Sequence, residues 1–256
     1  MPSIKIKFLG TGTSQGVPII GLKDPVCMSK NPKDKRMRAS ILIQWDGYNF
    51  VVDCGPDFRQ QILNAGVQRL DGILFTHEHA DHTAGLDDIR PFSNIYGALP
   101  IYAHKRVIDN LKKRFFYIFD KNYNYPGAPK VAVREICETP FIIGNKTITP
   151  IRVTHGKLPI FGYRIENFAY ITDAKYIDES ELKKLKNLDV LVVNTLRITP
   201  HETHFNLDEA LRFIEKVQPK QTYLTHISHL LGLHNEVEKK LPNHIKPAYD
   251  TLEVQC

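Results

Sequence analysis

The sequence has few cysteines, no long hydrophobic run and only a small excess of positive charge. Four cysteines in 256 residues, spaced far apart, are too few for a disulfide framework in a chain of this length. No apolar run approaches the roughly 20 residues that span a bilayer. The amino-terminal segment alternates apolar with charged residues, whereas a signal peptide needs an unbroken apolar stretch. The sequence therefore predicts a cytoplasmic protein with no membrane partner.

The excess of positive charge is modest and scattered along the chain. Lys and Arg number 34 and Asp and Glu 28, which gives a net charge of +6. No block of basic residues marks a nucleic-acid surface. The charge therefore favours a small anionic substrate, and nucleic acid is the less favoured partner.

The length and the apolar content predict a folded core. Hydrophobic residues make up 42% of the chain and charged residues 24%, which is ordinary globular usage. We expect residues 1–256 to form a single domain of the α+β class. Strand patterns outnumber helix patterns, and they include a hairpin over 40–53 and a final strand pair near 247–255. The pattern by itself predicts two mostly antiparallel sheets with helices outside.

Histidine is unusually abundant and clustered. The chain has 11 histidines, and seven of them fall in the segments 77–82, 201–204 and 226–229. Imidazole is a common ligand of borderline divalent metals. The clustering is the first indication of a metal site.

The strongest motif is THEHADH, which directly follows the short apolar strand at 72–75. His77 and His79 lie two residues apart, so they project to the same side of an extended loop and can share one ion. Asp81 and His82 lie around the following bend and can face a second ion. Two ions about 3.5–4 Å apart can stabilise both the attacking and the leaving oxygen of a displacement.

This His-x-His-x-Asp-His pattern resembles the metallo-β-lactamase superfamily, and the family's other landmarks occur in order. Asp53 stands in VVDCG, His155 follows ITPIRVT, Asp173 stands in YITDA and His226 in LTHISH. Taken singly, His155 and His226 could equally be ordinary loop residues. The resemblance implies an αββα sandwich, two mixed sheets flanked by helices, with the metals at one edge.

The resemblance also implies a role for each landmark. His77, His79 and His155 would bind one divalent ion, and Asp81, His82 and His226 the other. Asp173 would bridge two ions, either Zn²⁺ or Mn²⁺. Asp53 is expected to orient a ligand histidine through a hydrogen bond rather than to bind metal.

Three further stretches resemble the PhnP-like branch, whose members are cyclic-phosphate phosphodiesterases related to RNase Z. They are GTGTSQGVPIIG at 10–21, GYRIE at 162–166 and LTHISH at 224–229. In that branch a histidine before a late helix assists the chemistry, and His204 occupies this place. The alternative is that His204, like His201, is a surface loop residue.

The catalytic assignments are therefore His204 and, among the ligands, Asp81. Asn206 and Glu209 predict a capping box that opens the helix after His204. A histidine at such a place can protonate a leaving alkoxide or stabilise the charge that develops at phosphorus.

The PhnP branch also carries a structural zinc, held by Cys-x-Cys-x-x-Cys and a late histidine. The matching positions here are Leu22, Asp24, Cys27 and His229. Leu22 cannot bind metal, and three ligands fall short of the closed tetrahedral set of structural zinc. We therefore expect this degenerate site to be lost and packing to hold the loop.

The segment 106–129 is rich in basic and aromatic residues, which leaves three interpretations open. It could form a lid or a homodimer contact over the metal site, where its rings would stack on a nucleoside or sugar, or a core-facing helix followed by a tyrosine-rich loop. It does not resemble the exosite arm with which RNase Z grips transfer RNA.

The sequence thus predicts a dinuclear phosphodiesterase that hydrolyses a small, cyclic phosphodiester with a hydroxide formed on the metals. An RNase Z-like endoribonuclease and a lactonase or thioesterase are the enzymatic alternatives. A metal-bound scaffold without activity is a further alternative, although a scaffold has no need of an open dinuclear site.

Overall fold

The computed structural model describes residues 4–120, 122–123 and 126–256. Within these residues the strands are β1 Lys5–Gly10, β2 Ser40–Trp45, β3 Tyr48–Val52, β4 Gly72–Leu74, β5 Leu99–His104, β6 Val131–Ile136, β7 Phe141–Ile143, β8 Lys146–His155, β9 Leu158–Ile165, β10 Phe168–Ile171, β11 Tyr176–Ile177, β12 Val190–Asn194, β13 Gln221–Thr225, β14 Ile245–Pro247 and β15 Glu253–Gln255. The helices are α1 Phe58–Ala65, α2 Ala80–Thr83, α3 Arg90–Tyr96, α4 Lys105–Arg114, α5 Phe116–Phe119, α6 Glu179–Leu182, α7 Leu207–Val217 and α8 His234–Lys240.

The strands form two mixed sheets of similar design. The first has the order β15-β1-β2-β3-β4-β5-β6, and the second has the order β11-β8-β9-β10-β12-β13-β14, with β7 beside β8. In the first sheet the pairs from β15 to β3 are antiparallel and those from β3 to β6 are parallel. In the second the pairs up to β10 are antiparallel and those from β10 to β14 are parallel.

Apolar residues on both faces of the strands produce four layers. In β2, Ile41 and Ile43 face the second sheet and share a buried cluster with Tyr163. Leu42, between them, points the other way and packs against Phe58 of α1. Successive residues of a strand alternate between faces, so a strand buried on both faces must be apolar throughout.

The second sheet follows the same rule. Val190 and Val192 of β12 lie in the cluster between the sheets. Leu191 and Val193 lie in a separate cluster with Phe213 of α7. Helices therefore cover the outer face of each sheet, and the expected αββα sandwich of two mixed sheets is confirmed.

Two expectations from the pattern need correction. The sheets are not mostly antiparallel, because half of each is built from parallel strands joined through helices. The strands near 247–255 do not pair with each other, since β14 lies beside β13 while β15 lies beside β1 in the other sheet. The hairpin over 40–53 is confirmed, with Trp45 opposite Tyr48 and positive φ at Asp46 and Gly47.

The basic and aromatic segment 106–129 begins as part of the core. Val107, Ile108 and Leu111 of α4 are buried in the cluster beneath the first sheet. Phe116 and Tyr123 beyond it are about half exposed. The structure thus favours a core-facing helix for 105–114. Residues 121 and 124–125 lie outside the described part, and the lid and dimer interpretations stay untested.

No helix in the described part of the chain combines the length and the apolar character that crossing a membrane would need.

Candidate metal centre

The predicted site residues follow the ends of strands at one edge of the sandwich. Asp53 follows β3, Asp173 follows β10 after one residue, and His226 follows β13. These three have positive φ angles of 64°, 57° and 54°. Non-glycine residues seldom adopt this conformation, and such positions cluster at functional sites. The turn that each makes brings its side chain to the shared edge.

The loop that carries THEHADH is anchored from α4. Arg106 donates from Nε to Oε1 of Glu78 at 2.7 Å, which turns Glu78 away from its histidine neighbours. Arg114 donates to the Thr83 hydroxyl at 2.6 Å, and that hydroxyl donates to the carbonyl of His79 at 2.8 Å. These contacts fix the bend on which the candidate ligands stand.

One group of ligand-type side chains consists of His77, His79 and His155. Nε2 of His77 lies 3.0 Å from Nδ1 of His79, and one ring nitrogen from each of the three lies within 4.8 Å of the others. His77 is fully buried, whereas His79 is exposed at the mouth. Three imidazoles that converge on one point are a common divalent-metal arrangement.

The other group consists of Asp81, His82, Asp173 and His226. Nε2 of His226 lies 3.1 Å from Oδ1 of Asp173 and 3.7 Å from Oδ2 of Asp81. Nε2 of His82 lies 3.1 Å from Oδ2 of Asp81 and 3.4 Å from Oδ2 of Asp173. The structure thus brings all seven predicted ligands together, although they span positions 77 to 226.

Hydrogen bonds beneath the groups decide which ring nitrogen faces inward. Nδ1 of His82 lies 2.7 Å from Oδ2 of the buried Asp53, an acceptor, so Nδ1 carries a proton. Asp53 also accepts from the Thr76 backbone and hydroxyl, both at 2.8 Å. Because the Thr76 hydroxyl donates its hydrogen bond to Asp53, its oxygen accepts a hydrogen bond from Nδ1 of His77 at 2.9 Å. In the neutral rings, Nε2 of both histidines is left with its lone pair.

His155 is oriented in the same way by the chain before α7. Its Nδ1 lies 2.9 Å from the carbonyl oxygen of Thr203, which can only accept. The proton therefore sits on Nδ1, and Nε2 is free for a ligand. Metal-binding histidines usually have their other nitrogen held by such a partner.

These contacts leave acceptor atoms facing acceptor atoms in a buried space. Nε2 of His82 and both ring nitrogens of His226 are buried and have no hydrogen-bond partner in the described part of the chain. Lone pairs that face carboxylates repel one another unless a cation lies between them. Imidazole and carboxylate are also the donor set of Zn²⁺ and Mn²⁺. The residues therefore fit divalent metal.

The carboxylates at this edge attract positive charge, whether a proton or a metal cation. Burial alone would lower the pKa of His82, but Asp81, Asp173 and Asp53 outweigh it and hold that pKa well above its usual range. Burial raises the pKa of Asp81, yet His82 and His226 bring it far below normal. This edge therefore concentrates ionised carboxylates that need positive charge.

His204 stands between the two groups. Its ring centroid lies 4.5 Å from that of His155 and 4.9 Å from that of His226. Its Nδ1 is buried without a hydrogen-bond partner, 3.6 Å from Oδ1 of Asp173. Burial lowers the pKa of His204 to about 3, so the ring is neutral near pH 7.

The capping box after His204 is confirmed. Asn206 accepts from the Glu209 backbone at 3.0 Å, and Glu209 accepts from the Asn206 backbone at 3.0 Å. This box fixes the start of α7 and with it the chain that carries His204. His204 is therefore a buried group of the site rather than a surface loop residue.

The residues of the degenerate zinc site are neighbours without forming a ligand cage. Oδ2 of Asp24 lies 3.5 Å from Nε2 of His229, and Oδ1 of Asp24 accepts from the backbone of Cys27 at 2.6 Å. Among the described residues, no group with converging ligand atoms contains these three. Leu22 is 39% exposed. Loss of this site stays a prediction.

Two threonines that position ligand histidines were not identified from the sequence. Thr76 connects His77 to Asp53, and Thr203 holds His155 by its carbonyl. Thr76 could have been suspected, because it is the first residue of the THEHADH motif. Thr203 acts through its backbone, which leaves no signal in the residue type.

Comparison with known proteins identifies the family. The sequence profile of the beta-lactamase superfamily domain matches residues 48–227. A solved structure described as a new diphosphatase from the PhnP family has a TM-score of 0.93 and is 38% identical to this chain. The match covers 99% of this chain and 97% of that one.

Two curated relatives are named for activities other than diphosphate hydrolysis. A protein of Porphyromonas gingivalis named octanoyltransferase is 42% identical over 249 residues, which cover 96% of this chain and 50% of the relative. This chain thus spans about half the length of that protein. A ribonuclease Z of Mycolicibacterium gilvum is 30% identical over 172 residues, or 59% of this chain and 57% of the relative. The match to the diphosphatase over nearly the full length and the profile match both agree with the motif. The chain therefore belongs to the PhnP family of the beta-lactamase superfamily, and it is a metal-dependent hydrolase that binds divalent cations.

Proposed function

We propose that the protein is a dinuclear phosphodiesterase that hydrolyses a phosphorus–oxygen bond in a small, cyclic phosphodiester. The observation that carries the proposal is the convergence of seven His and Asp side chains, among which Nε2 of His82 and both ring nitrogens of His226 are buried without a hydrogen-bond partner in the described residues. His77, His79 and His155 would hold one ion. Asp81, His82 and His226 would hold the other, with Asp173 between them.

The side chains suit displacement at phosphorus. When bound, divalent ions supply an acidified water and neutralise charge on the phosphoryl oxygens. The hydrogen bonds that Asp53, Thr76 and Thr203 accept keep three imidazoles in the tautomer that a cation requires. His204 places its Nδ1 against the same interior, where the neutral ring can donate a hydrogen bond to the charge that develops on the departing oxygen.

A diphosphate is the second candidate substrate. It is favoured by the PhnP-family neighbour, which is described as a diphosphatase and is 38% identical. Cleavage of a phosphoanhydride needs the same inward-facing groups, with phosphate rather than alkoxide as the leaving group. Acyl transfer is not proposed, because the relative named octanoyltransferase is twice as long as the aligned part.

A substrate panel tests the proposal. The protein is loaded with Zn²⁺ or Mn²⁺ and assayed on a ribose cyclic phosphate, bis-p-nitrophenyl phosphate, a nucleoside diphosphate, precursor transfer RNA and p-nitrophenyl octanoate. The variant Asp173→Asn, loaded in the same way, is the matched control. We expect turnover of the cyclic diester that depends on metal and on Asp173.

Other outcomes would overturn the proposal in recognisable ways. Exclusive cleavage of the diphosphate would select the second candidate. Cleavage of transfer RNA with a steep salt dependence would select an RNase Z-like activity. Hydrolysis of the octanoate alone would indicate an esterase, and no metal-dependent turnover would remove the phosphodiesterase proposal.

A further inference from the structure

His201 lies next to His204, on the side that is nearer to solvent. Its ring centroid lies 5.1 Å from that of His204, whose ring in turn lies 4.5 Å from His155. These three imidazoles form a row from the candidate ligands toward the mouth. His201 is partly exposed, whereas His204 is buried. A substrate centred on the ligands would extend past this side chain.

The local backbone fixes the tautomer of His201. The backbone N–H of Thr203 donates to Nδ1 of His201 at 3.2 Å. An imidazole nitrogen that accepts a hydrogen bond carries a lone pair, so in the neutral ring the proton sits on Nε2. Burial and the neighbouring Arg197 lower the pKa of His201, which favours this neutral form.

The Nε2–H group has no partner in the described part of the chain. No hydrogen bond joins it to any residue in the described ranges 4–120, 122–123 and 126–256, and it is absent from the buried unpartnered atoms. It therefore reaches solvent beside His204. The neighbour Thr203 is tied to His155 through its carbonyl, so the donor is held at a fixed place relative to the ligands.

We propose that His201 binds the substrate, its Nε2–H donating a hydrogen bond to an oxygen on the leaving-group side. The inference rests on the proposed function and specifies its substrate class. It selects phosphoesters whose leaving group carries an oxygen acceptor, whether a sugar hydroxyl or a second phosphate. A simple aryl ester offers no such oxygen near the reacting bond.

A purely structural role makes a different prediction. If His201 only receives the Thr203 N–H, then Asn, whose side-chain oxygen reproduces Nδ1, should replace it. If the Nε2 donor matters, then Gln, whose amide reproduces Nε2, should replace it and Asn should not. The pair His201→Asn and His201→Gln therefore separates the two roles.

The kinetic experiment compares these variants and His201→Ala on three substrates: a ribose cyclic phosphate, a nucleoside diphosphate and bis-p-nitrophenyl phosphate. His244→Ala, at an exposed position away from the site, is the control. We expect Asn and Ala to lower kcat/KM on whichever polar substrate is turned over, about 3- to 10-fold where the acceptor is a neutral sugar hydroxyl and about 10- to 100-fold where it is a charged phosphate oxygen. Gln should retain most of the activity, and the aryl ester should change less than about 3-fold.

The comparison of substrates also identifies the acceptor. A loss of activity confined to the ribose cyclic phosphate indicates a sugar oxygen, and a loss confined to the nucleoside diphosphate indicates the second phosphate. An equal loss on all substrates, or rescue by Asn and not by Gln, would overturn the inference. So would unchanged kinetics in His201→Ala while the wild type turns over the polar substrates.

A second readout does not depend on activity. Nitrogen-15 NMR of the zinc-loaded protein, with His201 assigned from His201→Gln, reports the ring tautomer and its response to inorganic phosphate. We expect the Nε2–H tautomer and a shift of that nitrogen when phosphate is added. The Nδ1–H tautomer, or no response, would refute the inference. If the wild type hydrolyses no phosphoester, the proposed function fails. This measurement still shows whether the Nε2–H of His201 donates to phosphate.

Discussion

At the scale of residues, the site depends on which atom of each imidazole faces inward. Asp53 and Thr203 each accept a hydrogen bond from Nδ1 of one ligand histidine, so the opposite ring nitrogen is available for a cation. A change of tautomer would remove a ligand without moving a ring. The hydrogen bonds beneath the ligands therefore belong to the site as much as the ligands do.

His204 provides the prediction at this scale. Its neutral ring has a buried, unpartnered Nδ1 beside Asp173. We expect His204→Ala to reduce turnover of the cyclic diester by about 100-fold or more, the contribution of one positioned hydrogen-bond donor to the charge on the departing oxygen. Metal content should stay unchanged, because the seven ligands are intact. Steady-state kinetics with metal analysis of the same sample checks this, and unimpaired turnover would remove His204 from the mechanism.

At the scale of elements, side-chain contacts hold the loop at 22–27, whose positions the sequence resemblance matches to a structural zinc motif. Asp24 contacts His229 and accepts from the Cys27 backbone, while Nδ1 of His229 is buried without a partner. The arrangement leaves three positions of a zinc site near one another, and Leu22 is the fourth.

This arrangement predicts that two substitutions can complete the site. The double variant Leu22→Cys with Asp24→Cys should bind one zinc ion per chain more than the wild type, because it completes a Cys₃His set. Leu22→Cys alone is the matched control and should gain little. Zinc stoichiometry after gel filtration measures the difference. An equal zinc content in the double variant and the wild type would show that the loop geometry no longer permits the site.

The sequence predicted the elements that carry local signals and missed those defined by distant partners. The THEHADH motif and the Asp46-Gly47 hairpin could be identified because their residues are neighbours in the chain. The placement of β14 and β15 in different sheets could not, since each has only three residues and its partner is remote. Likewise, His155 and Asp173 were placed by resemblance, because nothing local distinguishes a strand-end ligand from a loop residue.

At the scale of the whole molecule, the two ends of the described chain meet behind the site. Asp250 accepts from the Thr11 hydroxyl and the Met37 backbone, both at 2.7 Å. Buried Arg36 donates to the Thr11 hydroxyl at 2.9 Å and contacts Nδ1 of His234 at 3.2 Å. These contacts join the amino-terminal loop to the segment after β14.

This junction predicts a pH-dependent stability. Burial raises the pKa of Asp250 from 3.8 to about 6, although the Met37 N–H, Thr11 and Arg36 oppose the shift. A carboxyl whose pKa is raised on folding stabilises the fold while protonated, and that contribution is lost as pH rises from 4 through 6. Asp250→Asn should therefore gain about 3 kcal/mol in unfolding free energy relative to the wild type over this range. Urea denaturation of both metal-stripped chains checks this, and a difference that is constant with pH would contradict it.

The central claim is that seven side chains from four segments of the chain hold two divalent ions. The most direct measurement is the metal content of purified, reconstituted protein by inductively coupled plasma mass spectrometry, for the wild type and Asp173→Asn. The account predicts about two ions per chain in the wild type and at most one in the variant, because the bridging carboxylate is lost. Less than one ion per wild-type chain, or an unchanged content in Asp173→Asn, would contradict it.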